Sequence, residues 1–118
     1  MQSLIVDISL IIVITLGITL ILKNITRVPR PQNALVTLRD YAFPSGHTSF
    51  SFAVAIFYTY FILHLNIELI EKIMLVAVIF AGVISIIYWR LQIKVHTPLQ
   101  ILVGAILGTL VSLVVVVL

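Results

Sequence analysis

The chain has 118 residues, of which 62% are hydrophobic and only 9% charged. A soluble domain carries roughly 25% charged residues to cover its wet surface, so this composition excludes one and points to a protein that lives in lipid. The net charge of +3 comes from scattered residues rather than a long basic run, which argues against a nucleic-acid partner, and the lack of cysteine removes disulfide, thiolate and Cys–metal chemistry.

The first apolar run, residues 4–22, is interrupted by a single charge, Asp7, which suits the dipole at a helix start. It lacks the basic leader and the A-x-A-like cleavage site of a signal peptide, so a retained helix is expected. Further apolar runs follow at residues 48–65, 73–89 and 98–118. Each run is about 17 to 21 residues long, close to the ~20 that a helix needs to cross the hydrocarbon. The valine-rich end, residues 111–118, has strand propensity. It is read as helix because a lone strand in lipid leaves its backbone unpaired. The expected fold is all-α, a polytopic membrane bundle of four transmembrane helices. It forms a single membrane-embedded domain over residues 1–118, in a multi-pass protein of the cell membrane.

The connections hold nearly all the charge. Loop one, residues 23–47, carries Lys23, Arg27, Arg30, Arg39 and Asp40; loop two, residues 64–72, carries Glu68, Glu71 and Lys72; loop three, residues 90–97, carries Arg90 and Lys94. Four spans put loops one and three on the same side, which then holds six Lys/Arg against one. Three of those six are candidate ligands for an anion, so the topology bias shrinks to three against one. Small residues recur at intervals of four: Gly104, Gly108 and Ser112 on the last helix, Ser49 and Ala53 on the second, Ala77 and Ala81 on the third. Such ridges let helix backbones approach closely in lipid. The Gly104–Gly108–Ser112 ridge is one face on which a second copy could pack.

Chemistry concentrates in three short patterns. Lys23, Arg30 and Pro31 are spaced K-x6-R-P; Pro44, Ser45, Gly46 and His47 read P-S-G-H at the mouth of the second helix; Arg90, His96 and Gln100 are spaced R-x5-H-x3-Q. A phosphate group needs several donors to hold it, and Arg grips its oxygens in pairs while Lys acts as a point charge. Lys23, Arg30 and Arg90 share a face and so can converge on one anion. Ser45, Gly46 and His47 open a helix, whose first amides and positive dipole end favour an anion. His47 and His96 then remain on separate loops at that face, and a pair of histidines can supply a nucleophile and a general acid.

In order and in place, the three patterns resemble the K-x6-R-P, P-S-G-H and S-R-x5-H-x3-D signature of the type 2 phosphatidic acid phosphatase superfamily. The resemblance runs over residues 23–100. It implies a membrane phosphatase acting on a lipid phosphate or isoprenoid diphosphate, with no metal and no cofactor. By the same resemblance His96 attacks phosphorus and carries a phosphohistidine, and His47 protonates the leaving oxygen. Lys23, Arg30, Ser45, Gly46 and Arg90 bind the phosphate. The implied partners are the phosphorylated lipid and the surrounding membrane lipids. The family core usually has six membrane helices with the motifs on the last four, and this chain matches those four.

Two positions depart from the signature. Trp89 stands where the signature has serine, which removes a hydroxyl donor; an interfacial anchor at the end of the third helix is the simpler role for it. Gln100 stands where the signature has aspartate. It is a possible orienter of His96, but Thr97, Pro98 and Gln100 also spell a capping box with Pro in the first helical position. His64 lies at the opposite end of the second helix and reads as an interfacial polar residue. Arg27, Arg39 and Lys94 read as headgroup contacts or topology signals. Two alternatives stay open at this point: a lipid-phosphate-binding protein without turnover, and a purely structural four-helix membrane protein.

Overall fold

The computed structural model describes residues 4–35 and 43–117, so Arg39 and Asp40 of loop one lie outside the described residues. Four helices follow in chain order: α1 (Leu4–Thr26), α2 (Gly46–Leu63), α3 (Leu69–Gln92) and α4 (Pro98–Val117). All four are long and apolar enough to cross a membrane, and no strand occurs among the described residues. The valine-rich end of α4 is helical through Val117. This is an all-α, multi-pass membrane bundle.

Helices α1 and α3 run past the apolar runs that announce them, whereas α2 begins at Gly46 and ends at Leu63, two residues ahead of its run at each end. α1 continues a full turn beyond Leu22 and so carries Lys23 inside its last turn; α3 begins at Leu69 and ends at Gln92, taking Glu71 and Arg90 with it. Hydropathy marks the thickness of the hydrocarbon, whereas Glu, Lys, Arg and Gln are good helix formers that prolong a helix into the interface. The ends are placed by local hydrogen bonds. Lys72 Nζ donates to the Leu63 carbonyl at 2.9 Å, tying the start of α3 to the last turn of α2, where the open carbonyls favour a cation.

The core of the bundle is the contact between α2 and α4. Gly104 and Gly108 face α2 so closely that a Cβ on Gly104 would lie 2.7 Å from the Ser45 carbonyl oxygen, and one on Gly108 would collide with the Ser49 carbonyl oxygen. Ser112 and Ser49 are completely buried. The ridge read from the sequence is therefore filled by the Ser49–Ala53 ridge of the same chain. This corrects its expected use as a surface for a second copy: residues already packed against α2 offer no face to another molecule. Ile11 of α1, Ala53 and Phe57 of α2 and Val115 of α4 close the apolar core toward the other end of the bundle.

The two loops that carry the motifs are bonded to each other. The Leu35 amide donates to the Ile93 carbonyl at 2.8 Å, and Arg30 Nη1 donates to the Val95 carbonyl at 3.1 Å. Loops one and three therefore meet at one end of the bundle.

Candidate active site

A cleft of about 610 Å³ opens at the end where these loops meet. One wall is polar and is formed by Lys23, Arg30, Gly46, His47, Arg90 and His96; the other is made by Leu16, Thr19 and Leu20 of α1 with Phe50 and Ser51 of α2. Six of the eight site residues expected from the sequence therefore line one space. Among the described residues no carboxylate lines it, so three permanent cations face a common volume and favour an anion there.

His96 sits at the centre of this wall. Only 3% of it is exposed, and its Nε2 lies 2.9 Å from Arg30 Nη1 and 3.5 Å from Arg90 Nη2. A guanidinium only donates, so Nε2 must present its lone pair, and the proton of the neutral ring resides on Nδ1. That tautomer leaves Nε2 able to attack an electrophile placed between the two arginines. The neighbouring Val95 is fully buried and, through its carbonyl, holds the guanidinium of Arg30 beside the ring.

Lys23 is 95% buried on α1. Its Cε lies 3.9 Å from where a Cβ on Gly46 would stand, so the side chain of Lys23 runs over the start of α2 into the cleft. Together with Ile11, Thr15 and Thr19, Lys23 forms a buried stripe at intervals of four along α1. The sequence reading missed Thr15 and Thr19, although their spacing from Lys23 is the signal that finds them: polar residues at i−4 and i−8 share its helix face. Both hydroxyls are buried without a hydrogen-bond partner among the described residues.

Ser45 takes another part. It is fully buried and is the N-cap of α2, where its hydroxyl accepts from the Thr48 amide at 3.4 Å and donates to Thr48 Oγ1 at 2.9 Å. Its own amide donates to the Gln100 carbonyl at 3.3 Å, and it does not line the cleft. Ser45 thus fixes the angle at which α2 starts, while Gly46 and His47 of the same motif line the cleft.

Gln100 closes the capping box of α4. Its Oε1 accepts from the Thr97 amide at 3.0 Å, and its backbone amide donates to the Thr97 hydroxyl oxygen at 3.3 Å in return. The backbone carbonyl of Gln100 binds Ser45, so this one residue joins the starts of α2 and α4.

Trp89 is drawn into the site. The Arg90 guanidinium carbon stands 4.9 Å from the centre of its indole, and the His47 ring meets it edge to face at 5.7 Å and 80°. The residues given lesser weight stay outside. His64 is exposed, with its Nδ1 2.8 Å from the Tyr60 carbonyl oxygen; Arg27 is exposed and donates to the Asn24 carbonyl at 3.2 Å. Among the described residues no three His, Asp or Glu side chains gather as metal ligands would.

Comparison with known proteins identifies the family and the fold. The sequence model of the PAP2 superfamily matches residues 4–118. A probable sphingosine-1-phosphate phosphatase of Dictyostelium discoideum is 30% identical over 116 residues, covering 87% of this chain and 28% of that protein. The crystal structure of a transmembrane PAP2-type phosphatidylglycerolphosphate phosphatase from Bacillus subtilis superimposes with a TM-score of 0.82 at 26% identity, over 92% of this chain and 55% of that one. Aquifex aeolicus LpxE superimposes with a TM-score of 0.76 at 28% identity, over 95% of this chain and 66% of its own. The chain thus spans about a quarter of that curated relative and between half and two thirds of the solved structures.

Proposed function

The chain belongs to the PAP2 superfamily, and from that premise we propose that it hydrolyses the phosphate of a membrane lipid, a monoester or an isoprenoid diphosphate, through a phosphohistidine on His96. The observation that carries this reading is the position of His96 Nε2, 2.9 Å from Arg30 and 3.5 Å from Arg90 in a cleft that His47 and Lys23 also line. The two similar proteins named for a substrate, sphingosine-1-phosphate and phosphatidylglycerolphosphate, both have phosphorylated lipids in their names. The apolar wall of Leu16, Leu20 and Phe50 beside the cations suits a substrate that is charged at one end and greasy at the other.

In the first step the Nε2 lone pair attacks phosphorus, the bond from phosphorus to the lipid oxygen breaks, and His47 passes a proton to that oxygen. The lipid leaves as an alcohol, or as a monophosphate if the substrate is a diphosphate. His47, now neutral, takes a proton from water as the water oxygen attacks phosphorus. The P–N bond breaks, inorganic phosphate departs, and both histidines return to their starting states. Lys23, Arg30, Arg90 and the Gly46 amide hold the equatorial oxygens, where charge develops during transfer.

Incubating purified protein with several phosphorylated lipids and an isoprenoid diphosphate, and measuring released phosphate, tests the reaction. Acid-labile labelling of the protein tests the intermediate. Labelling should vanish in His96→Ala, and its persistence there would overturn the choice of nucleophile. A second reading, binding without turnover, is favoured by one observation: Gln100, which stands in place of the signature's carboxylate, uses its Oε1 to cap α4. Folded protein that binds phosphorylated lipids yet releases no phosphate from any of them would select that reading.

A further inference from the structure

Trp89 occupies the signature position of a serine and sits at the end of a membrane helix, where a bare interfacial anchor would project its ring into the headgroups. Its surroundings are different. The ring is 47% exposed, and part of its covered surface is accounted for by two groups of the active site. The Arg90 guanidinium lies over the indole face at 4.9 Å, within the range of a cation–π contact. The His47 ring approaches at 5.7 Å and 80°, the edge-to-face geometry that aromatic quadrupoles favour. Adjacent residues on a helix point in different directions and do not face each other, so chain neighbourhood alone does not bring the arginine onto its neighbour's ring. Arg90 is 96% buried and reaches His96 Nε2 at 3.5 Å from the same side.

We propose that Trp89 is a positioning residue of the phosphatase site, one indole holding both the phosphate-binding guanidinium of Arg90 and the proton-donating ring of His47. This rests on the reaction proposed above for the roles of those two residues. A lone serine in that position could donate one hydrogen bond to an anion. The indole instead fixes the direction of two side chains that come from different helices, Arg90 from α3 and His47 from α2. The energy of a cation–π contact, converted to rate, sets the expected effect of removing the ring at about five- to thirtyfold.

Trp89 is also the sole tryptophan of the chain, so its fluorescence reports on this contact without interference. Among the described residues, the titratable and charged groups that share the cleft with His47 are Lys23 from α1, Arg30 from loop one, Arg90 from α3 and His96 from loop three, with no carboxylate. Of the two histidines, the one against the indole is His47. Protonation of an imidazole in ring contact quenches indole emission, so the emission of the parent should change with pH, and His47→Ala should abolish that titration. A titration that persists unchanged in His47→Ala would overturn the proposal.

Kinetics give a second, separate reading. Trp89→Leu keeps an apolar anchor and removes the π face; it should lower kcat and weaken inorganic phosphate binding by about five- to thirtyfold. Trp89→Phe, which restores a smaller face, should recover much of both. Parental kinetics in Trp89→Leu would reduce the residue to an anchor and refute the role. If the parent itself releases no phosphate, the phosphatase reading falls. Calorimetric titration of inorganic phosphate into the parent, Trp89→Phe and Trp89→Leu then still decides whether the indole positions Arg90.

Discussion

Replacing Arg30 by lysine keeps the charge of the phosphate site and removes its fork. In the parent, Nη1 of Arg30 lies against both the Val95 carbonyl oxygen at 3.1 Å and His96 Nε2 at 2.9 Å, so one guanidinium nitrogen ties loop one to loop three beside the cleft. The three donors of an ammonium radiate from one point, so lysine cannot span the carbonyl, the imidazole and the substrate together. Loss of one hydrogen bond to a charged group is worth about 1.5–3 kcal/mol. Arg30→Lys should therefore lower kcat/KM for a phosphorylated lipid about 10- to 150-fold. Arg30→Leu should fall further, because the charge goes as well. The assay is initial-rate phosphate release in mixed micelles at matched protein, with Arg27→Lys as the control. Arg27 is exposed and bonded to the Asn24 carbonyl, so that variant should keep the parental rate. A folded Arg30→Lys enzyme within threefold of the parent, or no worse than Arg27→Lys, would refute the bridging role of Arg30.

Two further substitutions test the frame around the site. Gly108→Ala places a methyl group on the Ser49 carbonyl and must push α2 away from α4. It should cost at least 1–3 kcal/mol, the usual penalty of overpacking, seen as a lower thermal midpoint in detergent, whereas Gly17→Ala, with nothing within 4 Å, should be neutral or better; equal midpoints would deny the close approach of the helices. Gln100→Ala removes the acceptor for the Thr97 amide and should destabilise the protein by about 1 kcal/mol, while Gln100→Glu should retain the cap; an unchanged midpoint in Gln100→Ala would show that the box contributes nothing.

The membrane spans were legible because lipid leaves few choices: a run of about twenty apolar residues has to become a helix. The motif residues were legible because a phosphate needs fixed charges, and Lys23, Arg30 and Arg90 lie at or beyond helix ends that an even number of spans returns to one face. Other features depended on information that a linear pattern does not carry. That Gly104 and Gly108 meet Ser45, Ser49 and Ala53, and not a second chain, is decided by which helix lies alongside, since a small-residue ridge looks the same toward either partner. The bond from the Ser45 amide to the Gln100 carbonyl joins residues 55 positions apart, a pairing that no local pattern announces. Trp89 was read as an anchor because its sequence neighbours place it at an interface; the ring contacts that draw it into the site come from His47, on another helix.

α3 is the least embedded part of this molecule. It buries Val83 and Arg90, whereas α4 buries seven residues and lies with its glycines against α2. The site is therefore built across a mechanical seam, with Gly46 and His47 on the tightly seated helix and Arg90 on the loosely seated one. The 3.5 Å approach of Arg90 to His96 therefore spans that seam, and its length rests on how α3 seats against α2 rather than on the glycine-lined contact of α2 with α4.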